Sequence, residues 1–176
     1  MLEIPESLTI AAQLNETVKG LEIRRVEAAH TKHSFAWYTG EPDFYAETME
    51  GKRLGEATGW GSYVEIEVGD YRFAVGDGTN LRYYAPGEKL PPRYQTRIEL
   101  EDGSNLVCTV QMYGSMFLVD PKEYDNFYYH VAKEKPMPGS EEFDYAYFRE
   151  LREQASGNLS MKAFLATEQR IPGLGN

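Results

Sequence analysis

His30, His33 and Trp37 share one loop, and two imidazoles three residues apart could hold a metal or another ligand. No acidic partner stands beside them, so ordinary loop structure is the simpler reading. Arg82, Arg93 and Arg97 could form a basic strip on a sheet. In a chain with 28 Asp and Glu against 18 Lys and Arg, pairing with those acids is simpler. Gly173-Leu174-Gly175 makes a glycine-rich turn near the end. Its backbone amides could receive a phosphate, or it could simply stop a helix. Lys162 reads alone as a solvated helix charge. The 13 Tyr suit either a sheet surface or stacking on nucleobases.

Composition narrows what these groups can be. Net charge is −10, which argues against gripping nucleic acid over the whole surface but leaves room for a local basic patch. Cys108 is the only cysteine, so an intrachain disulfide is impossible. With three scattered His it cannot build a structural zinc site either, and no metal ligands are assigned. The low cysteine count fits a reducing cytoplasm, the expected location. No apolar run is long enough to span a membrane, and no basic start leads into an apolar core. A monomer is expected.

Periodicity supplies the elements that must position these residues. Leu8, Ala11, Ala12, Leu14 and Val18 recur at helical spacing between Pro5 and Gly20, which predicts a helix over Glu6 to Val18. A strand over Leu21 to Ala29, a loop from His30 to Gly40 and a short helix over Pro42 to Met49 follow. Tyr63 to Val68 alternates apolar and acidic residues, the mark of a half-exposed strand. Gly69-Asp70 turns it into Tyr71 to Val75. Further strands are expected at Leu81 to Tyr84, Tyr94 to Leu100, Leu106 to Gln111 and Met116 to Val119, with a hairpin signal at Asp102-Gly103. Helices are expected at Lys122 to Lys133, Glu141 to Glu153 and Met161 to Arg170. The fold class read from this is α+β, mainly β: an antiparallel β-sandwich of about eight strands with a packed N-terminal helix and a helical C-terminal appendage. The domain reading is 1–120 for the β-sandwich with its leading helix and 121–176 for the helical segment.

Two motifs then bear on function. Met1-Leu2-Glu3-Ile4-Pro5-Glu6-Ser7 opens the chain. Lys162-Ala163-Phe164-Leu165 through Ile171-Pro172-Gly173-Leu174-Gly175-Asn176 closes it. Together, with a β-rich stretch between, the chain resembles the formamidopyrimidine-DNA glycosylase and endonuclease VIII family. The likeness covers that family's N-terminal domain and the start of its helix-two-turn-helix domain. The rest of that domain and the family's zinc finger lie outside it, so no cofactor is expected in this chain and a truncated member is implied. In the family, an N-terminal proline amine attacks C1′ of a flipped-out damaged nucleotide, and a neighbouring carboxylate moves protons. The resemblance assigns that carboxylate to Glu3 and a second acidic position to Glu6, which could equally serve as a helix N-terminal charge. It implies DNA contacts at Lys162, Asn176 and Tyr113.

The same alignment shows departures. Leu2 stands at the nucleophile position, and a bulky second residue keeps Met1 in place. The free amine is then displaced by about 3.8 Å of chain. Ser62 replaces a hairpin lysine, Asp77 an intercalating methionine and Met112 an arginine pushed into the duplex, while Gly114 still matches. The expectation is a base-excision-repair glycosylase/AP lyase relative with impaired or absent activity and weak DNA affinity. The rivals are a non-catalytic damaged-DNA-binding module of the same fold and a β-sandwich recruited to an unrelated ligand.

Overall fold

The computed structural model describes residues 2–175. Helix α1 (Ile4–Thr17) starts two residues before the expected Glu6. Pro5, which lacks a backbone N–H to satisfy, sits in its first turn. The backbone N–H of Glu3 donates to Glu6 Oε2 at 2.9 Å, capping the helix start. Ile4, Ser7, Ala11 and Leu14 form its buried face at helical spacing.

Among the described residues, nine strands form two sheets, mainly antiparallel. The first contains β1 (Ile23–Ala28), β6 (Thr79–Tyr84), β7 (Thr96–Leu100) and β8 (Asn105–Val110), in the order β1-β7-β8-β6. The second contains β2 (Ala36–Tyr38), β3 (Leu54–Trp60), β4 (Tyr63–Val68), β5 (Tyr71–Gly76) and β9 (Gly114–Val119), in the order β2-β9-β5-β4-β3. The Gly69-Asp70 turn closes the β4–β5 hairpin with Val68 opposite Tyr71. At Asp102-Gly103, between β7 and β8, Gly103 takes a φ of 85° that favours glycine. One core joins α1, helix α2 (Pro42–Met49, as expected) and both sheets through Leu14, Ile23, Met49, Phe73, Ile98, Leu106 and Met116.

Several expectations needed revision. The loop expected from His30 to Gly40 contains β2, which pairs parallel to β9 with Trp37 opposite Ser115. Strand β3 went unrecognised because Gly55 and Gly59 weaken its strand signal. Gly59 is needed there: a β-carbon would come within 2.3 Å of the Ser7 carbonyl oxygen, so α1 rests directly on β3. In β4, Glu65 is buried at 6% exposure rather than facing water, because a later helix covers it.

That helix is α3 (Phe127–Glu134), which begins at Phe127 instead of Lys122 because the preceding Asn126 side chain caps it by accepting from Tyr129 N at 3.1 Å. Asp144 starts α4 (Tyr145–Gln154) and Ser160 starts α5 (Met161–Ala166) in the same way. Helix α5 stops well short of Arg170. Glu168 and Gln169 turn left-handed, and the Arg170 guanidinium takes up the carbonyls of Ala163 and Phe164. Tyr129 and Ala132 of α3 pack on Trp60, Tyr63 and Val119. Leu151 of α4 and Phe164 of α5 pack with Ile4 and Ile171. Residues after 121 thus share both of their clusters with earlier residues. No described helix is long and apolar enough to cross a membrane.

Candidate functional site

Leu2 is where the two ends of the chain and three turns meet. Its side chain is 8% exposed and belongs to the main core. Its backbone N–H donates to the Asp77 carbonyl at 2.5 Å, joining the N-terminus to the β5–β6 turn. Ile4 N–H donates to the Gly173 carbonyl at 3.1 Å, bringing in the C-terminal turn. Ser7 Oγ donates to the Gly61 carbonyl at 3.0 Å, bringing in the β3–β4 turn with Ser62.

At Gly173 and Gly78 the backbone of another turn approaches closely enough to require glycine. A β-carbon on Gly173, whose φ is 80°, would lie 2.3 Å from the carbonyl carbon of Gly61. One on Gly175 would overlap the Glu3 carboxylate, so Glu3 lies directly against the glycine-rich turn. A β-carbon on Gly78 would come within 2.4 Å of the Tyr113 carbonyl, which holds the β8–β9 turn against the β5–β6 turn. Residues far apart in sequence therefore converge: Leu2, Glu3, Ser62, Asp77, Tyr113 and the Gly173–Gly175 turn. Lys162 does not join them. It is exposed on α5, with no hydrogen bond or ion pair to them among the described residues. Asn176 lies outside the described residues.

A cleft of about 410 Å³ opens beside this junction, lined among others by Trp37, Ser62, Tyr63, Asp77, Tyr128 and Gly173. A second, of about 460 Å³, runs from Leu2 and Glu6 past Asp77 to Leu81. Asp77 therefore borders both. It adopts a φ of 56°, uncommon for a residue other than glycine. Its carboxylate turns inward and accepts from Ser115 Oγ at 3.1 Å. Burial raises its pKa above the usual carboxylate value, with the Ser115 hydrogen bond opposing. The residue at the position of the family's intercalating methionine is thus half-buried and turned in. Glu6, one of the paired acids, is engaged in capping α1.

Of the remaining candidates, His30, His33 and Arg97 have structural partners, whereas the exposed Arg82 and Arg93 form no ion pair among the described residues. His33 Nδ1 accepts from the Phe35 N–H at 3.2 Å, and its Nε2 lies 3.3 Å from the Gln111 carbonyl. That pattern suits a neutral ring donating from Nε2. His30 stacks on Tyr94, with centroids 4.1 Å apart. Arg97 pairs with Glu99 at 2.7 Å and reaches Glu27 at 3.7 Å, the acid pairing expected of it. No group of three or more His, Cys, Asp or Glu could hold a metal among the described residues. Sequence reading missed Asn126 and Tyr128, which reach the cleft from α3. Only the capping-type Asn126 before an apolar run could have signalled them.

Comparison with known proteins gives the fold. No family model matches the chain, and neither does any curated protein. Solved structures do. MutM in complex with DNA containing carbocyclic 8-oxo-G aligns at a TM-score of 0.78 and 21% identity, over 99% of this chain and 65% of that one. The fold is that of the MutM (Fpg) DNA glycosylases. Lactococcus lactis Fpg, bound non-covalently to DNA with an AP site, aligns equally well, at 0.78 and 21% over 99% and 65%. MutM from Thermus thermophilus gives 0.72 and 23%, over 99% and 60%. The chain spans less than two thirds of the length of these Fpg structures. At these identities the likeness is one of fold, and it is the fold that the opening and closing motifs implied.

Proposed function

We propose that the chain is a member of the formamidopyrimidine-DNA glycosylase and endonuclease VIII family that engages damaged DNA and whose base-excision chemistry is lost or severely impaired. The carrying observation is the convergence of Leu2, Glu3, Ser62, Asp77, Tyr113 and the Gly173–Gly175 turn beside one cleft. The family motifs name these positions independently, and the fold brings them together. The backbone amides of the glycine-rich turn, with Asn176, would hold a phosphate. Tyr113 and the cleft aromatics would meet an unstacked nucleotide, and Lys162 would add a phosphate contact.

The impairment is chemical. The family reaction needs a nucleophilic amine beside its carboxylate. Here the nitrogen beside Glu3 is the peptide nitrogen of a buried Leu2, and its hydrogen is bonded to the Asp77 carbonyl. An amide nitrogen has no lone pair free to form a Schiff base. Glu3 could still move a proton, but among the described residues no amine stands at the nucleophile position beside it to attack C1′. Ser62 supplies no ammonium near the site, and the cleft lining contains no Lys or Arg among the described residues. This favours the binding module over a working glycosylase/lyase. We take it to act on DNA as a monomer in the cytoplasm, without a metal at this site.

Two measurements test the reading. A gel shift with a duplex carrying an abasic-site analogue should show binding at low ionic strength. Borohydride treatment of the chain with true abasic DNA should trap no covalent adduct. Efficient trapping would overturn the impairment, and no shift at any salt concentration would overturn the DNA reading.

A further inference from the structure

Beside the cleft, two neighbouring segments carry exposed apolar side chains that the core does not use. Phe35 is 59% exposed, Trp37 44% and Met112 73%. Tyr113, partly exposed, lies beside Trp37, with ring centroids 6.2 Å apart and the planes tilted by 43°. The four come from two segments joined by backbone. Gly114 N–H donates to the Phe35 carbonyl at 2.9 Å, and Trp37 sits opposite Ser115 in the parallel β2–β9 pair. His33 adds a contact to Gln111. The rings are thus presented by paired strands and a pinned turn, so little ordering is needed when a flat ligand settles on them. Trp37 also lines the cleft, which makes the patch continuous with the site described above.

We propose that Phe35, Trp37, Met112 and Tyr113 form a stacking platform for unpaired nucleobases, and that single-stranded DNA is this chain's preferred nucleic acid. The proposal rests on the DNA-facing reading of this end of the fold and adds the class of substrate. Nucleobases fit because every base offers a π face to an aromatic ring and because stacking needs no charge from the protein. That matters in a chain of net charge −10. A single strand fits better than a duplex because intact duplex bases are already stacked, and extracting one costs free energy that a wedge must recover. The residue at the wedge position is Asp77, whose carboxylate turns inward to Ser115 and does not project toward DNA. An unpaired strand requires no wedge.

Fluorescence provides the test. Trp60, the other tryptophan, is buried against Tyr63 and Tyr129, so quenching by an added strand reports on Trp37. The intact chain is titrated at low ionic strength with an oligothymidylate strand and with a duplex of equal length, and anisotropy of the labelled DNA is followed in parallel. The expected result is quenching by the strand, with affinity at least about tenfold tighter than for the duplex. Trp37→Ala should weaken strand binding by about tenfold, Trp37→Phe should retain most of it, and the highly exposed Met112→Ala should weaken it without affecting folding. Equal or tighter duplex binding, or unchanged strand affinity in both alanine variants, would overturn the platform. So would a dimer, seen by light scattering, that dissociates in Phe35→Ala, because the patch would then belong to a second copy. Strand binding with no affinity for the abasic duplex would leave the platform standing and remove the damage-recognition reading. The opposite result would remove the platform alone.

Discussion

Lys133 Nζ lies 3.0 Å from Oε1 of the buried Glu65, and this ion pair anchors α3 to the second sheet. The Tyr129 hydroxyl also donates to Glu65 Oε2, and Arg72 Nε lies 3.7 Å from Oε1. Lys133 covers the rings of Trp60 and Tyr129 at 5.1 and 5.2 Å. Burial, and then the bond to Glu65, push the Tyr129 phenol well above its usual pKa, so it remains a donor throughout the working range. Because α3 carries Asn126 and Tyr128 to the cleft, this cluster helps shape the candidate site.

The cluster gives an asymmetric prediction. Lys133→Met leaves the Glu65 carboxylate buried with less compensation and should cost about 3 kcal/mol. Glu65→Gln removes the charge, still accepts from Tyr129, and leaves a partly exposed lysine that water can reach; it should cost roughly 1 kcal/mol. Urea denaturation of both variants checks the order, and an equal or reversed ranking would contradict this account of the cluster.

Gly173→Ala should destabilise the junction between the two ends of the chain. The substitution meets both a φ of 80° and the Gly61 backbone. The cost should be roughly 1–3 kcal/mol, or about 2–4 °C of melting temperature per kcal/mol in a chain of this size. Gly20→Ala is a control: its φ is 90°, but no heavy atom lies within 4 Å of the added carbon, so it should cost less. Calorimetry of the pair separates conformational strain from collision.

Asp77→Asn should stabilise the protein at neutral pH by roughly 1 kcal/mol. Burial raises the folded pKa of Asp77, so the folded state binds this proton more tightly than the unfolded state does. The resulting stabilisation is fully present below the unfolded value, about 3.9, and is lost as pH rises through the folded value. Asparagine should therefore gain most above that window and match the parent in acid. Melting temperatures of both proteins across acid to neutral pH would show the curves converging at low pH; parallel curves would assign the effect to something other than the charge.

Leu2→Pro should not restore a working glycosylase. Loss of Met1 from such a variant would supply a secondary amine beside Glu3, but at the place where Leu2 nitrogen now lies 2.5 Å from the Asp77 carbonyl. The change also removes a buried leucine from the core. Ser62 and Asp77 remain, and repairing one member of a catalytic set recovers little. The expected result is at most slow borohydride trapping on single-stranded abasic DNA, with no release of an oxidised purine from duplex. Multiple-turnover release by the single variant would show that the other departures matter far less than argued here.

Binding of the abasic duplex should be weak and should disappear near physiological salt. With net charge −10 and few cations at the site, few phosphates are neutralised, so the slope of log affinity against log salt should be shallow. Fluorescence anisotropy across a salt series measures both quantities; tight, salt-insensitive binding would contradict the prediction.

Local signals in the sequence settled much of the fold and pointed to several residues of the candidate site. Pro5 with the spacing of Ala11, Leu14 and Val18 marked α1, and Gly69-Asp70 and Asp102-Gly103 marked two hairpins, because helix starts and tight turns depend on neighbouring residues alone. The opening and closing motifs identified Leu2, Glu3 and the Gly173–Gly175 turn. Tertiary structure decided what depends on partners distant in sequence. Glu65 looked like a water-facing acid until Lys133 and Tyr129, more than 60 residues later, covered it. The three-residue β2 is too short to show a period and exists through pairing with β9. The glycines that weakened β3 are required by the close approach of α1, which no local pattern encodes. Asp77 was legible as a departure from the resembled family's pattern, but its inward turn depends on Ser115, 38 residues away. Side-chain direction and burial are set by what packs against a residue, and that packing is decided only when the whole chain closes.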